Sequence, residues 1–131
     1  MSLIDGIVMG GGVGISVHGS HRVAGDKFMF AMPEVGIGFF PDVGATFLLP
    51  RLPAALGVYC ALTGERLDAA DAVAAGVATH RVPSAQFPDL LETLCRAIPL
   101  DASLAACARP AADGPVAVSY THLTLPTICS V

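Results

Sequence analysis

The sequence predicts a mixed α/β fold. An apolar, strand-like run ends in three consecutive glycines, β-rich stretches of four to six residues follow, and helical runs open on Pro or Asp and close on Gly or Pro. At 131 residues the chain is long enough for one domain with a single core. With 53% hydrophobic and 14% charged residues, it is too apolar to be disordered over residues 1–100.

Residues 3–9, LIDGIVM, read as the end of a buried strand running into a glycine turn. GGGVGISVHGS, 10–20, follows as a short helix opened by glycine. Each glycine inside a helix costs roughly 1 kcal/mol relative to alanine, so the run needs a reason. HRVA, 21–24, and KFMFAM, 27–32, are strand candidates, and Gly25-Asp26 between them predicts a two-residue hairpin. Pro33, Gly36, Gly38 and Pro41 make 33–42 a structured loop. From Val43 the pattern is helical: VGATFLL, 43–49, is closed by Pro50, and PAALGVYCALTG, 53–64, opens on proline and ends at glycine. Asp68 caps a helix over 68–76 that stops at Gly76. ATHRV, 78–82, is a strand, and 84–98 contains a helix beginning near Pro88. Residues 105–117 read as an Ala/Pro-rich, turn-prone linker. VSYTHLTLPTICSV, 118–131, has no charged residue and reads as a non-native read-through tail, with a final strand as the plainer alternative.

Charge narrows the partners. The net charge is −4 and the seven basic residues are scattered singly, which argues against nucleic acid. No window approaches the ~18 uninterrupted apolar residues of a membrane span. The four cysteines, Cys60, Cys95, Cys107 and Cys129, show no C-x-x-C pairing and no histidine at metal-ligand spacing, so reduced thiols and no metal are expected. The apolar excess is more than a small monomer can hide. An oligomer or further chain is expected to cover it.

Familiar motifs mostly fail. The glycine run lacks the lysine of a phosphate-cradling loop, and Ile15 stands where a dinucleotide fingerprint needs glycine. The order Gly14-Ile-Ser16-Val-His18 misses a nucleophile elbow at its last residue. His18, Ser20 and His21 are close in sequence, which suits local caps or satisfied histidines better than a triad. The glycines themselves leave backbone N–H groups uncovered, a place suited to a developing oxyanion. They suit a tight helix–strand contact equally well. Glu34 and Asp42 stand in the apolar stretch AMPEVGIGFFPDVGATFLLPRL, 31–52. Carboxylates in apolar surroundings are costly to ionise, and a group so poised can exchange a proton at neutral pH. The plainer reading is that both cap local backbone, Asp42 as the N-cap of the helical run behind it.

The order of parts carries more than any single motif. IDGIVMGGGVGISVHGSHRVA, FAMPEVGIGFFPDVGATFLLPRL and ALTGERLDAADAVAAGVATHRV together resemble the crotonase (enoyl-CoA hydratase/isomerase) superfamily. Within it they are most similar to the branch that hydrolyses 3-hydroxyisobutyryl-CoA. The resemblance is strong over residues 4–83 and continues weakly to 98. It implies a partial ββα spiral, with residues 1–104 as a fragment of the catalytic domain.

The resemblance also implies roles. Gly11 N–H would hold the acyl-CoA thioester oxygen, with Gly10 and Gly12 permitting the approach. Hydratases of the superfamily carry a catalytic glutamate two residues beyond the third glycine, where this chain has Gly14. Glu34 matches the second hydratase glutamate, and Asp42, eight residues on, matches the hydrolase pattern. Glu34 would attack the thioester or activate water, and Asp42 would orient the 3-hydroxyl or assist proton transfer. The CoA thioester is the substrate, and neither metal nor redox cofactor is implied. The full-length parent would form a homo-oligomer or act as a monomer, in the cytoplasm or, in a eukaryote, the mitochondrial matrix. In the superfamily, preceding residues supply the other oxyanion donor and further helices follow. The expectation is therefore a poorly stable, nearly inactive fragment. A hydratase or isomerase relative is the alternative, as is a non-catalytic acyl-CoA-binding module.

Overall fold

The computed structural model describes residues 1–96 and 99–109. LIDGIVM forms two strands rather than one: β1 (Ser2–Ile4) and β2 (Ile7–Met9), broken at Asp5-Gly6. The next run breaks at the same level, into β3 (Arg22–Ala24) and β4 (Met29–Ala31). β1 pairs in parallel with β3, and β2 in parallel with β4. The hairpin expected at Gly25-Asp26 is therefore absent. The turn carries the chain from one sheet into the other instead of reversing it. Gly25 N–H donates to the Ile4 carbonyl at 2.8 Å, and Met29 N–H to Gly6 at 3.1 Å. A Cβ at Gly25 would stand 2.3 Å from Asp5 Oδ1, so only glycine fits this crossing.

The helix α1 (Gly11–Ser16) connects β2 to β3. Parallel pairing requires such a crossover, which is why the short run between two strands is helical. The first sheet is completed by β6 (His80–Arg81), parallel to β3. The second is completed by β5 (Leu67–Asp68), antiparallel to β4. Two residues are too short a signal for β5 to be read from sequence.

Four of the remaining helices follow the punctuation. α2 (Ala45–Leu48) tightens into a 3-10 turn, Leu49–Arg51, that contains Pro50. α3 (Leu56–Thr63) ends at Gly64, left-handed at φ 69°. α4 (Ala69–Ala74) is capped by Asp68, whose carboxylate accepts from Ala70 and Asp71 N–H at 2.8 and 2.9 Å. α5 (Phe87–Cys95) has Pro88 in its first turn. The fifth, α6 (Leu100–Cys107), runs past residue 104, so the expected linker begins in a helix. The rest of that linker and the 118–131 tail lie outside the described residues.

Two cores result. Phe30, Met32, Leu67, Val13 and Cys60 lie in the larger one, under α1–α4. Val23, Val82, Leu90 and Leu104 make the smaller one, where α5 and α6 cover β3 and β6. Burial pushes the Cys60 thiol up to about 11, so it is a packing residue rather than a nucleophile. Cys95 and Cys107 are free thiols, and Cys129 lies outside the described residues.

Candidate active site

Gly10 ends β2 and turns the chain into α1 at φ 50° and ψ −123°, a conformation that glycine alone tolerates well. The amides of Gly11 and Gly12, first in the helix, have no acceptor among the described residues. A Cβ on Gly11 would meet nothing within 4 Å. The glycine run thus presents bare, exposed backbone donors at the end of a strand. It does not serve a tight helix–strand contact at Gly11.

Glu34 is delivered to this run by the loop after β4. Pro33–Ile37 form a 3-10 turn that closes at left-handed Gly38, with Phe39 N–H returning to the Glu34 carbonyl at 3.0 Å. That turn aims the side chain back at the glycines: Glu34 Oε1 lies 3.7 Å from where a Cβ on Gly10 would stand. Its other oxygen, Oε2, is buried and has no hydrogen-bond partner. A buried acceptor with nothing to accept is uncommon and asks for a reason.

Asp42 is exposed, and its side chain caps no helix. The N-cap of α2 is Gly44, and Asp42 contributes only its backbone carbonyl, to Ala45 N–H at 2.8 Å. The capping reading of Asp42 is therefore not what the structure has. Its neighbour Val43, at φ 46°, packs on Gly14 of α1. Gly10 precedes α1 as its N-cap, and Gly14 lies inside the helix. So the loop bearing Glu34 reaches the residue that opens α1, and the turn bearing Asp42 packs on α1 through Val43 one turn on.

The surroundings are less buried than the sequence implied. Ile37, Phe40 and Phe47 are 84%, 62% and 56% exposed, so the apolar stretch is largely surface among the described residues. Phe40 and Pro41 line an open apolar pocket of about 250 Å³ together with Ala45, Leu49 and Val58. Phe47 stands between the His18 ring, 5.9 Å away, and the Arg51 guanidinium, 3.6 Å over its face. The other residues set aside in the sequence go elsewhere. His21 bonds Ser20 Oγ and Asp101 Oδ1, both at 2.9 Å, and ties the start of β3 to α6. Among the described residues no three His, Cys, Asp or Glu side chains cluster as metal ligands.

What sequence reasoning missed is Val43. A β-branched residue in the left-handed region carries no local signature, because the conformation is imposed by the contact with α1.

The family model for enoyl-CoA hydratase/isomerase matches residues 1–124. The chain belongs to the enoyl-CoA hydratase/isomerase family. Among curated members it is 58% identical over 94 residues to the mitochondrial 3-hydroxyisobutyryl-CoA hydrolase of Xenopus tropicalis, covering 72% of this chain and 24% of that one. It is 54% identical over 96 residues to 3-hydroxyisobutyryl-CoA hydrolase 1 of Arabidopsis thaliana, covering 73% and 25%. The chain thus spans about a quarter of the length of the curated relatives it matches. Among solved structures, a carnitinyl-CoA dehydratase from Mycobacterium thermoresistibile superposes with a TM-score of 0.85 at 47% identity, covering 92% of this chain and 35% of that one. An enoyl-CoA hydratase from Rhodobacter sphaeroides follows at 0.77 and 43%, covering 89% and 33%. The α/β architecture with its paired short sheets is thus a part of the fold of this family.

Proposed function

We propose that this chain is part of an acyl-CoA thioesterase that converts 3-hydroxyisobutyryl-CoA to 3-hydroxyisobutyrate and CoA, a step of valine breakdown. The observation that carries the reading is the Glu34 carboxylate, held against Gly10 with one buried oxygen unpartnered, beside the acceptor-free amide of Gly11. A carboxylate with an unpaired oxygen that reaches the residue preceding an unpaired donor suits a carbonyl under attack. Gly11 N–H stabilises the charge that develops on the thioester oxygen. Glu34 then either attacks the carbonyl carbon, expelling CoA and leaving a mixed anhydride for water to open, or removes a proton from the water that attacks. Asp42 orients the 3-hydroxyl or assists the proton transfer. The names of the relatives that share 54–58% of the matched residues support this substrate. Gly14 speaks against hydration, because it removes the second carboxylate that adding water to a double bond requires.

Assembly and location belong to the same proposal. The exposed apolar side chains from Val35 to Phe47 mark where further chain or a second copy packs. The work is done in the mitochondrial matrix in a eukaryote and in the cytoplasm otherwise.

The test is CoA release from 3-hydroxyisobutyryl-CoA, compared with hydration of crotonyl-CoA. It is run on the chain and on a graft in which its matched 94 residues replace their counterpart in the Xenopus tropicalis relative. The graft should release CoA and leave crotonyl-CoA unhydrated, and Glu34→Gln should abolish release while CoA binding persists. Hydration without release reverses the choice of reaction. Binding without release by the graft favours the non-catalytic module.

A further inference from the structure

Gly14 does more than lack a carboxylate. A Cβ built on it would stand 2.7 Å from Val43 Cβ, 3.0 Å from the Val43 carbonyl oxygen and 3.5 Å from Val43 Cγ1. Two of the three contacts are with atoms that have no freedom to swing aside: a backbone oxygen and the first carbon of a β-branched side chain. Val43 is also held on both flanks. It sits at φ 46°, outside the ordinary range of a β-branched residue. Behind it, Gly44 at φ 84° lies under the His18 imidazole, whose Nε2 would be 2.5 Å from a Cβ placed there. Ala45, fully buried, returns its N–H to the Asp42 carbonyl at 2.8 Å. The turn over residues 42–45 is therefore packed on Gly14 of α1 at Val43 and on His18, just past the end of α1, at Gly44.

We propose that Gly14 is a positioning residue whose missing side chain seats the Asp42 turn on α1, so that any side chain at position 14 and a seated Asp42 exclude each other. The inference rests on the reading of Asp42 given above and deepens it. Glu34 reaches Gly10 at the start of α1, and the turn that carries Asp42 packs on Gly14 four residues later in the chain. Chemistry at this site then follows from one atom. With no Cβ at 14 the turn that carries Asp42 closes on the helix. With a glutamate at 14 the turn is displaced, and the second carboxylate comes from the helix instead. Selection between hydrolysis and hydration is in this view steric as well as chemical.

Two readouts test it. On the chain itself, Gly14→Ala should speed hydrogen exchange at the Ala45 amide, while amides in the smaller core, such as Leu90, keep their protection. The double variant Gly14→Ala, Val43→Gly should restore part of the Ala45 protection, because it removes the Val43 Cβ and Cγ1 and makes the positive φ natural, while the contact with the residue-43 carbonyl oxygen remains. In the graft, Gly14→Ala should lower kcat by about 100-fold, the scale of a misplacement near 1 Å, with KM held, and Val43→Gly should recover part of it. Combined with Asp42→Asn, Gly14→Ala should add no further loss, since both act through one carboxylate. Unchanged Ala45 exchange in Gly14→Ala overturns the proposal. So does an undiminished Gly14→Ala effect in the Asp42→Asn background. Full turnover by Asp42→Asn alone instead sinks the role given to Asp42, and the exchange readout still decides whether Gly14 seats the turn.

Discussion

Replacing Glu34 by methionine should make the chain more stable and, in the graft, slow CoA release. Glu34 Oε2 is buried and accepts no hydrogen bond, so the fold carries a desolvated oxygen with no return. Such a group costs about 1–3 kcal/mol when left unmade. Glu34 as a whole is only half-buried and its Oε1 faces Gly10, which argues for the lower end, about 1 kcal/mol. Methionine is similarly long, unbranched and adaptable, so it removes the orphaned oxygen without opening a large void. A gain of 1 kcal/mol raises the melting temperature by about 4–5 °C for a domain with roughly a hundred ordered residues. Glu34→Gln should leave the melting temperature nearly unchanged, since its amide meets the same lack of partners. In the graft both substitutions should slow CoA release by about 10²–10⁴-fold, the loss expected when a general base is removed. Thermal unfolding followed by circular dichroism and a thiol assay for released CoA measure the two effects. A fall of several degrees in Glu34→Met would refute the reasoning, because it would mean that the carboxylate holds the fold together. Retained turnover in both variants would remove Glu34 from the chemistry.

Other outcomes follow from the same coordinates. Asp68→Ala removes the acceptor for Ala70 and Asp71 N–H and should cost about 1 kcal/mol in denaturant unfolding. Gly57→Ala would put a Cβ 1.8 Å from the Leu49 carbonyl oxygen, so overpacking of about 3 kcal/mol or outright unfolding is expected, read by loss of the cooperative transition. Acid stability should fall in two windows. Burial, and then the neighbouring His21, hold His80 below its ordinary value of 6.5. Its contribution is whole above that value and is lost as pH falls through the lower folded one. The Ser84 hydroxyl, and then the Lys27 amide, hold Asp5 below 3.8, so its contribution is lost only in stronger acid. Asp5→Asn should therefore flatten the stability profile below about pH 4 and leave the upper window in place.

How much could be read in advance depended on whether the signal was local. The Asp68 cap, the stop at Gly76 and the Pro88 start of α5 are chemistry within one turn of chain, and each stands where the sequence put it. The glycine run with its helix was legible for the same reason. The Gly25-Asp26 turn was misread because a glycine–aspartate pair fits a hairpin and a change of sheet alike. What decides is β1 and β2, already available as parallel partners from earlier in the chain. β5 is two residues long and exists only because β4 offers an edge. In the site, Glu34 and Asp42 could be named from their pattern. The approach of their loops to α1 depends on Gly10 and Gly14 making contacts across more than twenty residues of chain. That is long-range packing, which spacing alone does not carry.

The matched interruptions at Asp5-Gly6 and Gly25–Phe28 draw a crease across the molecule. Gly10, Gly11, Glu34 and Asp42 all stand on one side of it, with β2 and β4. The first sheet, α5 and α6 stand on the other. The crease is stitched by Asp5 and Asp26, which share Ser84: its hydroxyl donates to Asp5 at 2.5 Å and accepts from Asp26 N–H at 2.9 Å. A ligand gripped by the glycine wall therefore pulls on one leaf of a folded card, and the other leaf feels it through Ile4 and Ala24, which pack into the core beneath that wall.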